Sequence, residues 1–101
     1  MSLNYIVLSG TLAADSEVRY TVSGKAVLEF MLRPEDGQSD EFQPQVRVIS
    51  AREQALEKQS QLKKGQTVLV EGQLHQRKID AGAASRRKQP EINMDHLTLL
   101  K

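Results

Sequence analysis

Between residues 77 and 88 the chain gathers five bases, Arg77, Lys78, Arg86, Arg87 and Lys88, against a single acid, Asp80. This segment carries a net charge of +4 in a chain of 101 residues whose total is only +1, so everything else is net −3. Guanidinium and ammonium groups placed this way can neutralise a run of phosphates, and a concentrated basic segment on an otherwise acidic chain is the electrostatic footprint of a polyanion. A solvated loop carrying surface charge is the alternative reading. Arg19, Lys25 and Arg47 are weaker cationic candidates on nearby strands and turns. Arg47 fits a surface or subunit-contact position equally well.

Other chemistries find little support in the residue types. His75 and His96 are far apart and lack ligand-spaced acids, and the chain has no cysteine, so neither a metal site nor a thiol nucleophile is expected. Glu35, Asp36, Asp40 and Glu41 form an acidic stretch without the glycine and closing glutamate of a calcium loop. The stretch Ala81-Gly82-Ala83-Ala84-Ser85 lacks the glycine-lysine pair of a phosphate cradle. No catalytic constellation emerges, and a binding protein without cofactor or metal is expected rather than an enzyme. There is no run of eighteen apolar residues, and Met1-Ser2-Leu3-Asn4 lacks the basic and apolar regions of a signal peptide. One cytoplasmic domain over residues 1–101, with no membrane partner and no acidic C-terminal tail, is the expectation.

The elements that must position the basic segment are mostly strands. Residues 5–12 are β-rich and interrupted by Gly10. An extended piece at 18–21 leads to a turn, where Gly24 supplies positive φ. Residues 26–32 set Leu28, Phe30 and Leu32 against Val27, Glu29 and Met31, a second strand expected to form a hairpin with the first. A polar, acidic loop follows to Gln43-Pro44, then a third strand at 46–50. Ser50-Ala51-Arg52-Glu53 has the form of a capping box, opening a short helix whose stripe of Ala55, Leu56, Gln59 and Leu62 suits a barrel-end plug. Gly65 suits the position just past that helix. The fourth strand runs over 67–79 and bends at Gly72, because only a residue without Cβ lets a strand coil sharply. A basic loop closing at Gln89-Pro90 and a fifth strand, with Ile92, Met94, His96 and Thr98 on one face, complete the chain.

Five strands with one helix between the third and fourth is the order of the OB-fold, an all-β, five-stranded Greek-key barrel. Three blocks carry a specific likeness: Asn4-Tyr5-Ile6-Val7-Leu8-Ser9-Gly10-Thr11-Leu12, Asp15-Ser16-Glu17-Val18-Arg19-Tyr20-Thr21-Val22-Ser23-Gly24-Lys25-Ala26-Val27, and Leu62-Lys63-Lys64-Gly65-Gln66-Thr67-Val68-Leu69-Val70-Glu71-Gly72-Gln73-Leu74. In this order they resemble the bacterial single-stranded-DNA-binding protein family over nearly the whole chain.

That resemblance implies single-stranded DNA as the partner, a homodimer or tetramer assembled through strand one around residues 3–8, and a place in DNA replication. The departures refine it. The family stacks bases on tryptophans and phenylalanine at positions that here read 35–42, Gln45, Ala51 and Ile79, and the chain has no tryptophan. Phe42 remains as a stacking platform or as a cap on a barrel end. Stacking is worth about 1–3 kcal/mol per base, so its loss should shift binding onto cations. A short, aromatic-poor relative of this family, primosomal replication protein N, restarts stalled forks and binds single strands through basic residues between strands four and five. The likeness to it places Arg77, Lys78, Arg86, Arg87 and Lys88 as the main DNA contacts and a primosomal helicase or another replication protein as a further partner. A protein-interaction adaptor that kept the barrel and lost nucleic-acid binding is the competing expectation, and RNA the competing ligand.

Overall fold

The inside of the fold is set by alternation along β3 (Ala26–Pro34), where Leu28, Phe30 and Leu32 are buried while Val27, Glu29 and Met31 face outward and remain partly exposed. Successive side chains of a strand point to opposite faces, so such a pattern admits one packed face only. The computed structural model describes residues 4–34, 45–80 and 86–100, with the backbone alone for 77–80 and 86–89. Besides β3 it contains β1 (Ile6–Leu12), β2 (Glu17–Tyr20), β4 (Val46–Ser50), β5 (Thr67–Asp80) and β6 (Arg86–Leu99), with α1 (Glu53–Leu56) and a 3-10 turn (Gln59–Gln61) between β4 and β5.

Neighbouring strands run β1-β5-β6-β4-β3-β2, and a further β1–β3 pairing, from Gly10 opposite Pro34 to Leu12 opposite Leu32, closes the ring. The closed ring therefore has five strands, and β2 lies outside it, paired with β3. All pairings are antiparallel except β4 with β6. This is the expected five-stranded OB-fold barrel with its single short helix. The expected simple hairpin of the first two barrel strands is different in detail. β3 touches β1 only over their ends and takes β2 and β4 as its main partners, because residues 17–20 form a strand of their own. Gly10 pairs on both sides, with Val68 and with Pro34, and does not interrupt β1.

The bend expected at Gly72 is a β-bulge. Val70 pairs with Leu97 and Glu71 with His96, but Gly72 pairs with Met94, so Asp95 is the extra residue. A side-chain period of two changes phase when one residue is inserted. Ile92 and Met94 therefore point inward before the bulge, and Leu97 and Leu99 pack against the core after it. His96 and Thr98, expected on the face of Ile92 and Met94, turn outward instead. The bulge needs a glycine opposite it: a Cβ on Gly72 would run into the Asn93 carbonyl oxygen and stand 2.9 Å from the Met94 Cα.

The plug is real but shorter than its stripe suggested. Ala55 and Leu62 are buried in the core, and Leu56 packs beside them. The capping box does not form: Arg52 is the N-cap residue without a side-chain cap, and the Ser50 hydroxyl accepts from the Arg52 amide at 3.2 Å. The buried Ser16 fastens the plug to the β1–β2 connection. Its amide donates to the Leu62 carbonyl at 2.9 Å and its hydroxyl to the Gln59 carbonyl at 3.2 Å.

Candidate nucleic-acid interface

β5 and β6 outrun the rest of the barrel. The β1 ladder on β5 ends at Ile6 opposite Gly72, and the Asn4 side chain then takes the place of one more residue pair. Its Nδ2 donates to the Leu74 carbonyl at 2.6 Å and its Oδ1 accepts from the Leu74 amide at 3.0 Å. On the other side, β4 pairs with β6 only from Glu91 onward. Among the described residues, the arms 76–80 and 86–90 pair only with each other, forming a projecting hairpin.

That hairpin gathers the basic segment. Arg77 stands opposite Gln89, Lys78 opposite Lys88, Ile79 opposite Arg87 and Asp80 opposite Arg86. With a rise of about 3.4 Å per residue, all five bases fall on roughly 10 Å of two-stranded ribbon. Arg86, Arg87 and Lys88 are thus strand residues, not part of a basic loop, because the long β5 offers them a ladder that their low strand propensity did not foretell. Phe42 and the acidic stretch 35–41 lie outside the described residues.

The outer face of β3 and β4 leads directly to the hairpin base, through a row in which Met31 pairs with Arg47, Arg47 with Glu91 and Glu91 with His75. Here the structure places two expected DNA contacts in an ion-pair chain. Arg19 reaches Glu17 at 3.5 Å and, through Nε, Glu29 Oε1 at 3.1 Å. Arg47 binds the other oxygen of Glu29 through Nη2 and reaches Glu91 through Nε at 3.2 Å. The centre of the chain is shielded from solvent: the side chains of Glu29, Glu91 and Arg47 are 12%, 15% and 22% exposed. Three carboxylates and two guanidiniums give this ion-pair chain a net charge of −1. The three glutamates did not stand out in the sequence, because only the register of four strands brings positions 17, 29, 47 and 91 together. Lys25 is exposed in the turn after β2, where its amide donates to Thr21 Oγ1 at 3.0 Å.

Tyr5 and Tyr20 are both exposed on the barrel surface. Desolvation, and then the charges of Glu71 and Asp95, push the Tyr5 phenol above its ordinary value. Among the described residues no three potential metal ligands cluster, and no helix is long and apolar enough to cross a membrane.

Against known proteins, residues 3–100 match the model of the Single-strand binding protein family. The chain belongs to this family. A single-stranded DNA-binding protein of Thermotoga maritima is 33% identical over 98 residues, covering 88% of this chain and 67% of that protein. One from Borreliella burgdorferi is 35% identical over 105 residues, covering 96% and 69%. One from Halalkalibacterium halodurans is 33% identical, covering 98% and 61%. The chain thus spans between about half and two thirds of the length of such relatives. A solved structure titled as the Plasmodium falciparum SSB complex with ssDNA superposes with a TM-score of 0.81 at 23% identity, covering all of this chain and 97% of that one. At that identity the likeness establishes the shared barrel.

Proposed function

We propose that this family member binds single-stranded DNA without sequence preference, in DNA replication and specifically in replication restart, as a primosomal accessory protein similar to primosomal replication protein N. The observation that carries the reading is the β5–β6 register, which supports a basic ribbon formed by Arg77, Lys78, Arg86, Arg87 and Lys88. Lys and Arg capture phosphates and release condensed counterions, so binding is sequence-independent and salt-sensitive. Fluorescence anisotropy with oligo-dT at low and high salt tests it, and binding that salt does not weaken contradicts it. A primosomal helicase or another replication protein is the further partner of this reading.

A second reading, a protein-interaction adaptor with little nucleic-acid affinity, draws support from the neutralised strand face around Glu29. Absence of oligo-dT binding at low salt, together with capture of a replication protein, would favour it.

The same reading includes a homodimer, or a tetramer built from it, through β1. Residues 6–9 of β1 pair with β5 on one edge and with no described strand on the other, and Tyr5 and Val7 beside them are 58% and 53% exposed. Open edges with exposed apolar side chains are templates for strand pairing. Light scattering at micromolar concentration should return at least twice the 11.3 kDa chain mass, and Val7→Lys should lower it. A monodisperse wild-type monomer contradicts this assembly.

A further inference from the structure

We infer that Glu29 is a specificity-determining carboxylate that masks a second phosphate-binding tract on the β3–β4 face by holding Arg19 and Arg47 away from nucleic acid. The inference rests on the single-stranded-DNA reading above and deepens it. In OB-folds generally, the outer face of these two barrel strands is where oligonucleotides lie. Arg47 on this face and Arg19 on the adjoining β2 bring guanidiniums, the side chains best suited to phosphate, to its centre. Each is already engaged by a carboxylate.

Glu29 is the pivot because its two oxygens serve different arginines, Oε1 taking Arg19 Nε and Oε2 taking Arg47 Nη2. Glu91 holds Arg47 from the other side at 3.2 Å. A guanidinium that turns to a phosphate must abandon a partly desolvated carboxylate, and breaking such a pair costs more than breaking one in open solvent. Little net attraction remains for a passing phosphate. The row Arg47–Glu91–His75 joins this face to the base of the basic hairpin. A strand bound on the hairpin therefore has a continuous path onto the β3–β4 face once the carboxylate charge is removed. The face acts as a closed extension of the binding tract, which confines DNA to the hairpin and keeps its site short.

Glu29→Gln preserves the shape of the side chain and removes its charge, and oligo-dT anisotropy against salt reads the result. Each freed arginine that reaches a phosphate steepens the log K versus log[salt] slope by about 0.7 and raises affinity about eightfold at 50 mM salt. Glu91→Gln should give a smaller gain by removing one of the two charges paired with Arg47, which keeps the test valid if Glu29→Gln melts early. In Glu29→Gln/Arg47→Gln the share of the gain owed to Arg47 should vanish. Glu57→Gln, an exposed helix-end position outside the chain of ion pairs, controls for the change in overall charge. A wild-type protein that binds while Glu29→Gln, confirmed as folded by circular dichroism, shows the same slope and affinity overturns the masking and leaves the hairpin reading intact. An equal gain in Glu57→Gln also overturns it. Binding by Glu29→Gln where the wild type does not bind supports the masking and removes the hairpin reading. Absence of binding in both removes both.

Discussion

Changing Arg86, Arg87 and Lys88 together to alanine is expected to weaken oligo-dT binding about 500-fold at 50 mM salt. For single strands each neutralised phosphate contributes about 0.7 to the salt slope, which corresponds to about eightfold in affinity per contact at that salt, and three contacts multiply. The slope should become shallower by about 2 in the same experiment, a signature that a merely destabilised protein would not give. These three residues occupy the arm of β6 that pairs only with β5, beyond the last β4 contact at Glu91, so the barrel should survive their loss. Circular dichroism and an unshifted melting curve check that survival. Unchanged affinity in a folded triple variant contradicts the assignment of binding to the hairpin.

The second large effect concerns the barrel itself. Gly72→Ala should destabilise the protein by about 3 kcal/mol, because the new methyl meets backbone rather than a side chain that can rotate away. Its neighbours would be the Asn93 carbonyl oxygen, the Met94 Cα at 2.9 Å and the Asn93 carbonyl carbon at 3.0 Å. Relief requires the β6 bulge to move, and the bulge sets the phase that turns Leu97 and Leu99 inward. In a domain of this size about 3 kcal/mol lowers Tm by about 12–24 °C. A melting temperature within a degree or two of wild type would mean that the bulge adapts freely and does not depend on a bare Cα.

The same pair of strands separates what the sequence reveals from what it hides. Alternation of Leu28, Phe30 and Leu32 and the glycine in the Val70-Glu71-Gly72 stretch were local signals, and the strands they imply are present. In β6 the pattern Ile92, Met94, Leu97, Leu99 breaks alternation once, and the break has meaning only opposite Gly72, twenty-odd residues earlier in the chain. Strict alternation therefore put His96 and Thr98 on the wrong face. Arg86, Arg87 and Lys88 read as loop because charged residues are poor strand formers, and their pairing comes entirely from β5. The helix cap failed for a similar reason. Ser50 is buried at the end of β4, where its hydroxyl turns to the nearer Arg52 amide.

For the candidate interface the contrast is sharper. The density of bases between 77 and 88 is a property of the linear chain and was visible at once. The neutralisation of Arg19 and Arg47 is largely a property of register, since Glu29 reaches both and Glu91 reaches Arg47 from other strands, while only the Glu17–Arg19 pair is local to β2. Two cations that composition assigned to the binding surface are held by carboxylates, which moves the weight of the proposed binding onto the hairpin.

A salt titration of binding to single- and double-stranded oligonucleotides tests this account most directly. With five hairpin bases each meeting one phosphate, log K for oligo-dT should fall linearly with log[salt] with a slope of about −3.5, losing about 100-fold between 50 and 200 mM. Mixed-sequence single strands should follow the same line, and duplex of equal length should bind more weakly. No binding of oligo-dT at 50 mM salt, or a slope near zero, would contradict the account.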